Sequence, residues 1–153
     1  MRLENSCLIP AGRSAAWELL MDIPQAAACV PGLQEIVPDG ENQYRARLES
    51  RVGPMRFSFS GTVLVVEKDE SKAEARFQVE ASDPKVGGTI KADMTMRLID
   101  CAPGQSELSI VTETAFMGKL GELGQPLMHR KAKSTMEGFA HNLVQLLQQQ
   151  AGN

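Results

Sequence analysis

The last third of the chain carries an amphipathic helix of unusual length, predicted from Leu120 to Leu147, and it follows a series of alternating strands. Its apolar positions Leu120, Leu123, Leu127, Met128, Met136, Phe139, Leu143, Leu146 and Leu147 recur at three- and four-residue steps. One stripe therefore faces a core, while Lys, Arg, Gln and Asn occupy the other side. At about 1.5 Å per residue the helix runs on the order of 40 Å, the width of a small domain. A rod of that length with one apolar stripe requires a concave sheet to lie in, and it should cross that sheet from edge to edge. Pro126 marks either the first turn of the main helix or a kink near its start.

The preceding segments supply such a sheet. Leu3 to Ile9 reads as a strand stopped by Pro10-Ala11-Gly12. Ser14 is the expected N-cap of a short helix on which Trp17, Leu20 and Met21 share a face. Pro24 opens a second short helix, preceded by Asp22 or Ile23 and ended by Pro31-Gly32. From Leu33 onward the period becomes two. Tyr44, Ala46, Leu48 and Ser50 alternate with polar residues, and so do Met55, Phe57, Phe59, Gly61, Val63 and Val65 with their neighbours. The same holds for Ala73, Ala75, Phe77, Val79 and Ala81, and for Ile90, Ala92, Met94, Met96 and Leu98. A last strand runs from about Glu107 to Phe116. The joints between them, such as Asp39 to Asn42 and Gly53-Pro54, are short enough for antiparallel hairpins. The expected order is β-α-α-β-β-β-β-β-β-α, an α+β domain of about seven antiparallel strands with helices on one face.

With 153 residues the chain suits one domain. Residues 1–148 are assigned to it and 149–153 to a frayed, glutamine-rich tail. The net charge of -3 argues against nucleic acid as a partner, because phosphate binding demands a basic face. No run of 18 apolar residues exists, and Met1 to Ser6 lacks the apolar centre of a secretory signal, so a cytoplasmic protein is expected. Cys7, Cys29 and Cys101 are odd in number and widely spaced, which fits reduced, buried thiols better than disulfides or a zinc site. Only 5% of residues are aromatic. An interior filled by small side chains and methionine leaves either loose packing or a cavity.

Trp17-Glu18-Leu19-Leu20, Cys29-Val30-Pro31-Gly32-Leu33, Val52-Gly53-Pro54 and Gly118-Lys119-Leu120-Gly121, in this order, resemble the CoxG family, that of the G subunit of carbon monoxide dehydrogenase, within the START-like, or SRPBCC, helix-grip superfamily. The resemblance covers nearly the whole chain, and its motifs are structural. It implies a curved sheet gripping the terminal helix around a hydrophobic cavity. It also implies an accessory role beside a molybdenum hydroxylase of the carbon monoxide dehydrogenase type, in maturation, membrane recruitment or electron delivery to a lipophilic acceptor such as a quinone.

The inward register nominates a ligand cavity lined by Tyr44, Leu48, Phe57, Phe59, Phe77, Met94, Met96, Leu108, Ile110 and Phe116, with Met128, Met136 and Phe139 facing them from the helix. Such walls hold a lipid or quinone-like molecule by burial, at roughly 25 cal/mol per Å² of apolar area, and offer few groups for proton transfer. Thr112 and Thr114 also lie on this register, where a hydroxyl bonds either a ligand carbonyl or nearby backbone. No catalytic residue is assigned. His129 and His141 lie twelve residues apart, far from the i, i+4 spacing of two helix ligands, so no metal or other cofactor is expected. Lys119, His129, Arg130, Lys131 and Lys133 form a basic cluster that is either a solvated face or a contact with a partner or anionic lipid. Val30, Pro31, Leu33 and Ile36 would be the apolar part of that contact, or a gate over the cavity. The competing reading is an enzyme of the same superfamily, a cyclase or hydrolase acting on an apolar substrate. A third, a groove for a partner's peptide, is disfavoured by the length of the grip helix.

Overall fold

In the computed structural model, which describes residues 1–151 and side chains through Gln150, the period-two segments pair into one antiparallel sheet of seven strands. These are β1 (Arg2–Ile9), β2 (Leu33–Pro38), β3 (Gln43–Val52), β4 (Met55–Asp69), β5 (Glu74–Asp83), β6 (Gly88–Ala102) and β7 (Gln105–Gly118). The order across the sheet is β1-β7-β6-β5-β4-β3-β2. Five hairpins make β2 to β7, and α1 (Arg13–Met21) with α2 (Ile23–Ala27) carries the chain between the edge strands β1 and β2. The α+β architecture expected from the alternation, and the helix grip that the resemblance implies, are the ones observed.

The terminal helix differs in detail. It divides into a single turn, α3 (Lys119–Glu122), and the long α4 (Gln125–Ala151). Gly124 separates them at φ +88°, a left-handed conformation that only glycine adopts cheaply. Pro126 then falls in the first turn of α4, where its missing N–H costs nothing. The tail expected to begin at 149 continues as helix to Ala151, and Gln150 donates to the Gln25 side chain at 3.1 Å. Gly152 and Asn153 lie outside the described residues. Ser14 does not cap α1: that position falls to Gly12, which offers no side-chain acceptor. Asp22 does cap α2, accepting from Gln25 N–H at 3.4 Å.

Curvature arises where small residues align across the strands. Ala46, Gly61 and Ala81 are paired neighbours on β3, β4 and β5. A Cβ on Gly61 would collide with the Glu80 carbonyl and sit 2.6 Å from Ala81 Cα, so the two backbones approach closely only because residue 61 has no side chain. A bulge between Val65 and Glu67 adds local twist further along β4.

Packing is concentrated at two ends of the concave face. Under α1 and the C-terminal part of α4, Trp17, Leu20, Leu98, Leu108, Leu143 and Leu147 join Ile9 and Phe77 in one buried cluster. Near the start of α4, Leu120 and Met128 cover Val52, Phe57 and Phe59, and the two phenylalanine rings stack with centroids 5.3 Å apart. Between Met128 and Leu143 no residue of α4 is fully buried. The helix is thus pinned at both ends and bridges open space at its middle.

One carboxylate belongs to the inner register of the strands, although the residues nominated for that face carry no charge. Asp83, at the end of β5, is buried. Its carboxylate accepts from Ser58 N–H at 2.8 Å, Val86 N–H at 3.0 Å and Lys85 N–H at 2.9 Å. These bonds hold its carboxyl below the usual carboxylate range, the Ser58 N–H contributing most. The charge is consumed in pinning the β5–β6 turn to β4.

Candidate functional site

The space bridged by α4 is a cavity of about 300 Å³. Ala46, Gly61 and Ala81 make its floor with Val63 and Val79, while Leu48, Phe59, Phe77, Ile90, Met94, Met96 and Ile110 form the walls. Thr135, Met136 and Phe139 descend from α4, and Leu20, Ile23, Ala26, Ala27, Val30, Leu33 and Ile36 close the remaining side. Among the described residues none that lines the cavity is ionisable. The hydroxyl-bearing residues on the wall are Thr62 and Thr135, and the Thr135 hydroxyl donates to the Lys131 carbonyl at 2.9 Å.

Of the residues nominated from sequence, Leu48, Phe59, Phe77, Met94, Met96, Ile110, Met136 and Phe139 line this cavity. The others share its face but not its surface. Phe57 and Met128 are buried in the cluster at the start of α4, with Phe116 packed against it. Leu108 is buried in the other cluster, against which Tyr44 packs. Thr112 is buried and donates to the Leu3 carbonyl through a long bond of 3.4 Å, so its hydroxyl serves the β1–β7 edge. Thr114 binds the N-terminus through its carbonyl, which accepts from the Met1 amine at 2.7 Å. Alternation identifies which face a residue takes; it does not say how far along the face the packing ends.

Leu20, Ile23 and Ala26 line the cavity although nothing in the sequence nominates them for it. Their helical spacing marks a buried face, but nothing local says that α2 ends over a void. For Val30, Leu33 and Ile36 the expectation is a surface contact or gate, and they turn inward onto the cavity.

The segment that leads to them, from Ala28 to Gly32, is strapped down on both sides. Asn142 on α4 donates to the Cys29 carbonyl at 2.9 Å, and Glu49 N–H on β3 donates to the Gly32 carbonyl at 3.0 Å. Gly32 has φ +88° and abuts the Glu49 carbonyl so closely that no Cβ fits. The strap therefore runs from the grip helix to β3 across one side of the cavity. Burial raises the Cys29 thiol above its ordinary range, while Cys101 is exposed rather than buried as expected.

The basic cluster is partly as expected. Lys119 is occupied by Glu122 at 3.6 Å. His129, Arg130 and Lys133 are exposed, Lys131 is half-buried, and among the described residues none of these four enters an ion pair. A second, polar hollow lies on the opposite face of the sheet, where Lys91 pairs with Glu80 at 3.8 Å and Glu113 with Arg2 at 3.0 Å. Its charges are largely satisfied internally. Among the described residues no group of three His, Cys, Asp or Glu converges as metal ligands, and no helix is long and apolar enough to cross a membrane.

Comparison with known proteins bears on this arrangement. The sequence model of the carbon monoxide dehydrogenase G subunit (CoxG) matches residues 6–148. A conserved protein from Geobacillus kaustophilus superposes with a TM-score of 0.89 at 17% identity, covering 97% of this chain and 96% of that one. A START superfamily protein from Mycobacterium smegmatis gives 0.73 at 13% identity over 97% of each chain. The Zhui aromatase/cyclase from Streptomyces sp. R1128 gives 0.71 at 13% identity, over 99% of this chain and 95% of its own. At such identities these likenesses establish the fold alone. Comparison with curated proteins returns no match.

Proposed function

Because the chain belongs to the CoxG family, that of the carbon monoxide dehydrogenase G subunit, we propose that it is a non-catalytic accessory protein that carries a hydrophobic molecule, lipid or quinone-like, in the cavity beneath α4. Its service to a carbon monoxide dehydrogenase-type molybdenum hydroxylase would be maturation, recruitment to a membrane or electron delivery. The observation that carries the reading is the wall itself. General acid or base catalysis needs a titratable group within about 3 Å of the reacting atom, and among the described residues none that lines the cavity is ionisable. The competing reading, a cyclase or hydrolase, has the fold in its favour and lacks those groups.

Magnitudes support an occupant. At about 24 cal/mol per Å³, an empty and sealed void of about 300 Å³ would cost roughly 7 kcal/mol, as much as many domains have in total stability. Any opening to solvent lowers that figure. Water is a poor filler, because it needs two to four polar partners and this wall supplies almost none. An apolar guest removes the deficit. The exposed Arg130 and Lys133, with His129 beside them, are the surface offered to an acidic partner or an anionic leaflet.

Native mass spectrometry of the purified protein, with identification of its organic extract, tests the carrier role. A co-purifying lipophile, and a rise in melting temperature on adding lipids or quinones, is expected. Absence of both defeats it, and turnover of an apolar substrate by the protein alone would favour the enzyme.

A further inference from the structure

Lys131 is a half-buried cation one helical turn from the cavity wall, and the carrier role leaves it unused. It lies one turn before Thr135 on the same side of α4, and the two are joined by the Thr135 hydroxyl, which donates to the Lys131 carbonyl at 2.9 Å. Thr135 is on the cavity wall. The neighbouring cations Arg130 and Lys133 are exposed, whereas Lys131 is half-buried. Among the described residues no carboxylate pairs with it. A half-buried lysine beside an apolar hollow keeps its charge at least cost when an oxygen acceptor meets it there.

The interior makes the complementary demand. The Thr135 hydroxyl has spent its proton, and Thr62 alternates with the inward Gly61 and Val63 so that its side chain takes the other face of β4. Among the described residues no ionisable group lines the void. A carbonyl or carboxylate pushed inside would stand without a donor, which the burial of polar groups penalises heavily. Hydrocarbon has no such requirement. At about 30 Å³ for each water-sized group, a cavity of about 300 Å³ takes on the order of ten methylenes.

Resting on the carrier reading above, we propose that the occupant is a single-chain amphiphile bound tail first, with its hydrocarbon inside and an oxygen-acceptor head, carboxylate above all, held at the rim by the Lys131 ammonium. The proposal assigns Lys131 to the ligand rather than to a partner surface. It also gives the site a polarity: chain length is read by the cavity and head chemistry by one side chain.

Displacement of a fluorescent lipophile by matched amphiphiles, each below its micelle concentration, tests this. For carboxylates from six carbons upward, affinity should rise about fourfold per carbon, the equivalent of about 0.8 kcal/mol per buried methylene, and level off near ten to twelve carbons. Dodecanoate should bind at least tenfold tighter than dodecyltrimethylammonium. Lys131→Met should erase that preference while retaining the chain-length series, and Lys133→Met should leave both intact. Equal binding of the anion and the cation, or a preference that survives Lys131→Met, overturns the proposal while leaving the carrier reading standing. Binding to phosphatidylglycerol vesicles without displacement by free dodecanoate overturns it in favour of a surface contact. Failure of every amphiphile and of extracted lipids to bind defeats the carrier reading itself.

Discussion

Pro31 and Gly138 meet across the strap with no room for a side chain on the helix: a Cβ built on Gly138 lies 2.6 Å from Pro31 Cγ and 3.8 Å from Pro31 Cβ. The grip helix therefore owes its close approach to the strap to one missing methyl group. With the Asn142 bond to the Cys29 carbonyl, this contact is what holds the cavity shut on that side.

The 3.8 Å separation equals the usual Cβ to Cβ spacing of a disulfide, about 3.8 Å. In a background with Cys7, Cys29 and Cys101 replaced by alanine, Pro31→Cys with Gly138→Cys should cross-link on oxidation and slow ligand exchange at least tenfold, with dithiothreitol restoring it. Gly138→Ala should act oppositely, displacing Pro31 and speeding exchange. Stopped-flow release of a fluorescent lipophile reads both, and an exchange rate indifferent to oxidation means that the ligand passes elsewhere.

Filling the void should trade binding for stability. Ala81→Leu adds side-chain volume on the cavity floor. Urea denaturation of ligand-free protein should show it more stable by roughly 1 to 2 kcal/mol, from the volume it recovers. Lipophile affinity should fall at least tenfold. A destabilised variant would mean that the space beside Ala81 is already packed.

Asp83 should make stability depend on acid. Its carboxyl is held below the ordinary range in the folded state, so it binds a proton less readily there than in the unfolded chain. The stabilisation is complete above the ordinary carboxylate range and is lost as pH falls through the depressed value. Asp83→Asn offers one acceptor oxygen to the three N–H groups that Ser58, Lys85 and Val86 present. Its melting temperature should be lower near pH 7, and the difference from the parent should shrink below about pH 4, the ordinary carboxylate range. Parallel melting curves across the acid range would contradict this.

If the proposed surface is right, charge reversal at the exposed Arg130 and Lys133 should weaken binding to a carbon monoxide dehydrogenase-type enzyme or to anionic vesicles, and more at about 50 mM salt than at about 300 mM, because screening already weakens exposed charges at the higher salt. Cosedimentation measures this. Unchanged, salt-independent binding would retire the surface.

The chain's alternation of apolar and polar residues settled the sheet. Reading Phe57 and Phe59, or Met94 and Met96, as inward required only that a strand repeats every two residues, and each was found on the concave face. The long apolar stripe likewise announced α4, since Met128, Met136, Phe139 and Leu143 can share a face only on a helix. What such periods cannot express is depth. Phe57 and Phe59 belong to the same face and the same cluster, yet only Phe59 reaches the void, and Met128 is packed where Met136 is not. Those differences depend on where α1, α2 and the strap land on the sheet, through contacts such as Asn142 with Cys29 and Gly138 with Pro31 that join residues far apart in the chain. Local sequence fixes which side of an element is apolar, because neighbouring residues set its geometry. The cavity is the volume left between elements, so only their packing in three dimensions decided it.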